Sequence, residues 1–187
     1  MLFRSNKALT DELLRIAVKH KNGDVLKLYG QFKPNKLNEK RDGGTLLIDA
    51  AKNDDWELIN VLLDAGADKY ITNGTWGAMY YAISRQNKNA VEALLAHDFD
   101  HTRQDVNGNT ILHHSTFYDN AEIAECIFTK ATYKSLHLKN TMGDTPMDLA
   151  KLVSHKKIIE VIEKEENWHR RKPLLLMKPI WQSDTEQ

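Results

Sequence analysis

Apolar residues along this chain come in short paired bursts separated by polar turns, and the stretch 42–68, DGGTLLIDAAKNDDWELINVLLDAGAD, holds the most complete pair. Asp42-Gly43-Gly44 reads as a turn, and Thr45 stands where a helix N-cap belongs, with a hydroxyl able to accept from the first-turn N–H groups. Leu46, Leu47, Ala50 and Ala51 give a short helix with one apolar face, and Asn53-Asp54-Asp55 breaks it. Trp56, Leu58, Ile59, Val61, Leu62 and Leu63 then make a second helix, ended by Ala65-Gly66. Two helices this small cannot bury their apolar faces alone, so the pattern predicts stacked neighbours.

The neighbours recur at a fixed period. Gly108-Asn109-Thr110-Ile111-Leu112-His113 and Gly143-Asp144-Thr145-Pro146-Met147-Asp148-Leu149-Ala150 repeat the opening, and Trp76-Gly77-Ala78-Met79-Tyr80-Tyr81-Ala82 is a weaker copy. The threonine slot falls at 45, 77, 110 and 145, and second-helix doublets follow in register at Leu62-Leu63, Leu94-Leu95, Ile127-Phe128 and Ile162-Glu163. These are variants of G-x-T-P-L-H-x-A at a period of about 33 residues, so the chain resembles the ankyrin repeat family. The resemblance covers about 10–165 and implies an all-α solenoid of stacked helix-turn-helix units with hairpin-like loops. Units are expected near 10–36, 40–68, 73–98, 105–131 and 140–163, in a repeat domain spanning 1–166, with 167–187 as a tail outside the repeats.

Each unit departs from the pattern in its own way. The first lacks T-P-L-H, and an atypical end repeat is expected to keep its open face polar, a role assigned to Lys19, Lys21 and Lys27 beside the apolar Val25, Leu28 and Phe32. The third has Gly77 in the threonine slot, so no side chain caps its first helix, and Tyr80 in the histidine slot. Tyr80 and Tyr81 either fill space between units or face a partner. The resemblance gives His113 a structural role, tying its own turn to the next, while Asp148 replaces that histidine in the fifth unit. Pro173 and Pro179 are expected to exclude a long helix in the tail. The tail, NWHRRKPLLLMKPIWQSDTEQ, could strap back over the last repeat, dock into a partner as an extended peptide, or touch a membrane surface.

Composition narrows the function. Lys plus Arg equals Asp plus Glu at 26 each, which argues against a nucleic-acid partner. The single cysteine, Cys126, fits a reducing compartment, and no stretch approaches the roughly 20 apolar residues of a membrane span. The start MLFRSNKALTDELL has no apolar core for a secretory signal, so a cytoplasmic, cytoskeleton-associated or nuclear location is expected. No metal site is expected: His113 and His114 are adjacent and face apart, and Cys126 has no partner at ligand spacing. His97, Asp98, Asp100 and His101 read as a solvated hairpin rather than a metal cluster. No phosphate-cradling loop or nucleophile–base set is present, so no catalytic residue, cofactor or small-molecule substrate is expected.

In ankyrin repeats the concave surface is built from fingertips and the exposed side of the first helices. The matching positions here run from charged (Arg41, Lys52) to aromatic and apolar, and the resemblance makes Trp76, Arg85, Gln104, Phe117, Tyr118 and Met142 the candidate partner-binding residues. Leu152 and Val153 are the corresponding positions in unit five, open to a partner or to the tail. Trp168, Arg170, Arg171, Leu175 and Trp181 are the candidates for recognition by the tail. The expected function is a non-catalytic protein–protein interaction module, an adaptor or small scaffold subunit of a larger assembly. The alternative is a regulator that inhibits an enzyme or transcription factor by covering it.

Overall fold

The computed structural model describes residues 7–41, 43–74 and 77–176, with side chains over 11–41, 43–74 and 77–172. Its elements are α1 (Lys7–Lys19), α2 (Gly23–Phe32), α3 (Pro34–Leu37), α4 (Leu46–Lys52), α5 (Trp56–Asp64), α6 (Ala78–Ser84), α7 (Lys88–Ala96), α8 (Ile111–Thr116), α9 (Ala121–Phe128), α10 (Tyr133–Leu136), α11 (Pro146–Leu152) and α12 (Lys156–Leu176). Among the described residues there is no strand, and the hairpin loops reduce to isolated bridges at Arg41–Gly44 and Thr72–Gly77. The fold is the all-α solenoid that the sequence predicts.

Local chemistry starts each helix. The second helices open on Asn22, Asp55, Asn87 and Asn120, whose side-chain oxygens accept from the N–H three residues on, at 3.1, 3.1, 3.0 and 3.1 Å. The first helices open on Thr45, Thr110 and Thr145, whereas Gly77 offers no side-chain cap, as expected. Between the paired helices, Lys21, Asp54, Gln86 and Ser154 each take a left-handed backbone, with φ of 49, 59, 56 and 58°. That residue reverses the chain tightly enough for the second helix to pack back on the first.

Packing then forms two layers. Helices α4, α6, α8 and α11 pack in succession as one, and α2, α5, α7, α9 and α12 as the other. The core runs continuously between them through the fully buried Leu47, Ile59, Leu62, Ile83, Leu94, Leu112 and Phe128. Glycine is required at one crossing: a Cβ on Gly30 would fall 2.0 Å from the Ala65 carbonyl oxygen, so α2 reaches the end of α5 only with hydrogen there.

Two expectations are corrected. Lys21 and Lys27, two of the three cations assigned to the open face of the first unit, turn instead toward the second. Lys21 pairs with Asp55 and Glu57 at 2.7 and 2.8 Å and Lys27 with Asp64 at 3.6 Å, leaving Val25, Leu28 and Phe32 exposed. The reason is proximity, because the acids of α5 lie within reach and solvent offers no competing partner charge. Pro173 also fails to stop a long helix, since α12 runs unbroken from Lys156 to Leu176. The proline lies within the last turn, where its missing N–H removes one ladder bond while the helix behind it is already propagated.

The extended reading of the tail therefore does not hold for 167–176. This part of α12 leans on the loop before α10: His169 Nε2 lies 3.1 Å from the Ala131 carbonyl oxygen, and the Tyr133 ring sits between His137 and His169, at 4.3 and 6.4 Å.

Candidate functional site

Stacking places the outward side chains of α4, α6 and α8 in a row. Lys52, ending α4, puts its Nζ 5.1 Å from the Tyr81 ring centroid and donates to the Gly43 carbonyl. Tyr81 stands edge-on to Tyr80 at 5.7 Å, Tyr80 edge-on to His114 at 5.3 Å, and His114 tilts against Phe117 at 6.5 Å. The strip thus crosses three units, from a cation to an exposed phenyl ring, with the Tyr81–Tyr80 and Tyr80–His114 contacts in the edge-to-face geometry that ring quadrupoles favour.

Polar atoms hold the strip in place. Asn73 Nδ2 donates to the Tyr81 hydroxyl at 2.9 Å, tying the finger of unit three to its first helix. His114 Nε2 lies 2.9 Å from Asp105 Oδ2, with both side chains largely buried. Burial holds the His114 imidazole below its ordinary pKa despite the neighbouring Asp105 carboxylate. Tyr80 is pushed up to about 12, by burial first and then by the hydrogen-bonded Tyr118 hydroxyl. At neutral pH the Tyr80 phenol and the His114 imidazole are therefore both neutral.

Beside the strip lies a groove of about 380 Å³ between the fingers of units three and four. Met79, Ile83 and Ile111 line it below, Tyr80 and His114 form one wall, and Arg103 stands at its rim. Arg103 stacks its guanidinium 4.5 Å from the Tyr70 ring centroid. An apolar floor with polar walls and a fixed cation is the composition expected of a specific binding groove.

The residues singled out from sequence fall into distinct places. Phe117 ends the strip at 47 % exposure, and Tyr118 is half-buried behind it, bonded to Tyr80. Arg85 is exposed at the C-cap of α6 and pairs loosely with Asp54 at 3.8 Å. Gln104 lines the groove, but its amide donates to the Gly108 and Lys139 carbonyls at 2.7 and 2.9 Å, joining two fingers. Met142 projects from the fifth finger at 82 % exposure, and Leu152 is also exposed. Trp76 and Trp181 lie outside the described residues, while Leu175 is described only as backbone of α12. Trp168, Arg170 and Arg171 are exposed on the extension of α12.

Sequence reasoning missed His114 and Asp105 as a pair, and left Tyr80 and Tyr81 between two roles. Both bridge units, Tyr81 to Lys52 and Tyr80 to His114, and Tyr80 also lines the groove. Tyr80 in a histidine slot was a visible signal. The Asp105–His114 contact had none, since it depends on how the finger folds over α8. Among the described residues no group of three or more His, Cys, Asp or Glu could hold a metal ion. The Ser115 and Thr116 hydroxyls beside His114 donate to the Leu112 and His113 carbonyls, both at 2.8 Å.

Comparison with known proteins agrees with the repeat pattern. Residues 14–105 match the family model described as ankyrin repeats in three copies. The chain is 27% identical over 143 residues to an ankyrin repeat protein of Acanthamoeba polyphaga mimivirus, a match covering 72% of this chain and 19% of that protein. The chain thus spans about a fifth of the length of this curated relative.

Proposed function

Because the chain is an ankyrin-repeat protein, we propose that it works as a protein-interaction module without catalysis of its own, an adaptor or small scaffold subunit that captures a protein partner across the Tyr81–Tyr80–His114–Phe117 strip and the groove beside it. Ankyrin repeats are protein–protein interaction modules, and the partner-facing surface of this one is carried by its continuous aromatic strip. Aromatic rings held rigid by neighbours lose little entropy on binding, and such residues dominate interface energetics. Arg85 and Arg103 at the edges suit a partner segment with apolar side chains flanked by acids. The free thiol of Cys126 suits a reducing, cytoplasmic setting.

The test uses two exposed residues, so that folding is spared. Phe117→Ala with Arg85→Ala should weaken capture of the principal partner about thirtyfold or more, as expected for the loss of one interface hot spot. Thermal unfolding should shift little. Unchanged capture would overturn this site. A second reading, recognition through the tail, is favoured by exposed Trp168, Arg170 and Arg171 on α12. It predicts the converse, with capture lost on Trp168→Ala and Arg171→Ala and kept in the strip variant.

A further inference from the structure

The groove between the fingers of units three and four carries its available charge on one side. Tyr80 and His114 form an uncharged wall, and the buried Met79, Ile83 and Ile111 make an apolar floor. At the rim, two cations rest over one aromatic ring. Lys69 Nζ lies 5.2 Å and the Arg103 guanidinium carbon 4.5 Å from the Tyr70 ring centroid, so the two charges are separated by at most the sum of those distances. Tyr70 is itself held in place. Its hydroxyl accepts from the Asp100 N–H at 2.8 Å, and its ring tilts against Phe99 at 5.1 Å. A cation resting on a fixed ring keeps its N–H groups available and loses little freedom when an anion arrives.

The acids nearby are engaged by the fingers themselves. Asp68 Oδ1 accepts from the Tyr70 N–H at 2.8 Å. Asp100 accepts from the Thr102 N–H and hydroxyl at 2.8 and 2.7 Å. The Thr102 bonds come first in holding the Asp100 carboxyl below its usual range, ahead of the charges of His101 and Arg103. Asp105, which lines the groove, accepts from the Asn107 and Asn109 N–H groups at 2.8 and 2.9 Å with one oxygen and meets His114 with the other. Among the described residues no ion pair joins Lys69 or Arg103 to an acid. What the groove offers a ligand is therefore a positive rim beside an apolar floor.

We propose that the groove takes an extended acidic segment of the partner protein, with an Asp or Glu carboxylate on Arg103 and Lys69 and a bulky apolar side chain on the Met79–Ile83–Ile111 floor. This rests on the interaction-module reading above and gives its groove a ligand class. The planar guanidinium of Arg103 is able to hold both carboxylate oxygens, a geometry that an ammonium lacks. An extended segment turns every second side chain to one face, roughly 7 Å apart, so the acid and the apolar residue are expected two positions apart. The rim repels a basic segment, so charge selects the partner as well as strengthening its capture.

Selection of displayed random peptides of about eight residues on the full chain tests this. The recovered sequences should carry Asp or Glu two positions from Leu, Ile, Met or Phe. By fluorescence polarisation, a recovered peptide should bind Arg103→Gln about tenfold more weakly or worse, and the same peptide with its acid changed to the amide should bind both chains equally. Arg103→Lys should restore only part of the loss, and Arg103→Glu with Lys69→Glu should select basic residues in the acid's place. Arg103 is exposed, so its variants should melt as the parent does. Recovered sequences without the acid, no recovered sequence, or affinity unchanged by Arg103→Gln overturns the proposal. So does affinity that rises on Trp76→Ala or on removal of residues 177–187, which would make the chain's own side chains the occupant. If Arg103→Gln keeps capture of the principal partner while Phe117→Ala with Arg85→Ala loses it, the acidic ligand falls and the interaction-module reading stands.

Discussion

His113 Nε2 lies 3.0 Å from the carbonyl oxygen of Asp144, so the imidazole of one unit donates to the finger of the next. Its Nδ1 accepts from the Thr110 N–H at 3.1 Å and the Thr110 hydroxyl at 2.8 Å, which makes the Nε2–H tautomer the one that satisfies every partner. The ring is fully buried. Replacing His113 by alanine leaves the buried Thr110 N–H without its acceptor and removes one of the two bonds to the Asp144 carbonyl, which keeps the Asn140 N–H at 2.9 Å. A loss of about 2–4 kcal/mol is expected, measured by urea unfolding. Binding by the folded fraction should be unchanged, because the ring touches no solvent.

Acid should weaken the fold through the same residue and its neighbours. Burial lowers the pKa of His101, His113 and His114 from the ordinary 6.5. Below pH 6.5 the unfolded chain takes up protons that the folded chain refuses, so the unfolded state binds more of them. Stability is then full above pH 6.5 and falls as the pH drops toward the folded-state values. The melting temperature at pH 5.5 should lie below that at pH 7.5, and His113→Ala should flatten the difference.

Backbone conformation gives a pair of opposite predictions. Ser154 sits at φ 58°, so Ser154→Gly removes left-handed strain and should stabilise by up to about 1 kcal/mol, partly offset by the extra freedom of glycine in the unfolded chain. Gly108, at φ 71°, is the reverse case. A Cβ there would lie 2.9 Å from the Thr141 backbone nitrogen, so Gly108→Ala should push two fingers apart and lower the melting temperature by several degrees.

Leu62 lies on α5 between the two layers and is fully buried. Leu62→Ala should cost about 2–5 kcal/mol in a denaturant titration, as expected for a truncation that the stack cannot collapse around. A loss under about 1 kcal/mol would mean that neighbouring units unfold independently.

Periodicity and capping chemistry alone determined the repeat: the threonine slots at 45, 110 and 145, the Asn/Asp caps, and the buried doublets of α5, α7 and α9 are all local features, repeated until chance no longer explains them. His113 was legible for the same reason, through its slot. Only the tertiary structure decided that Val25, Leu28 and Phe32, apolar positions of α2, stand exposed. It likewise decided that Lys21 and Lys27 answer acids on α5, that α12 continues through Pro173, and that Tyr80, His114 and Phe117 form one strip. These all depend on contacts between residues about 33 apart or on a helix end braced by a neighbouring turn. Propensity and periodicity describe a segment's own preferences, whereas these contacts depend on what stacks beside it.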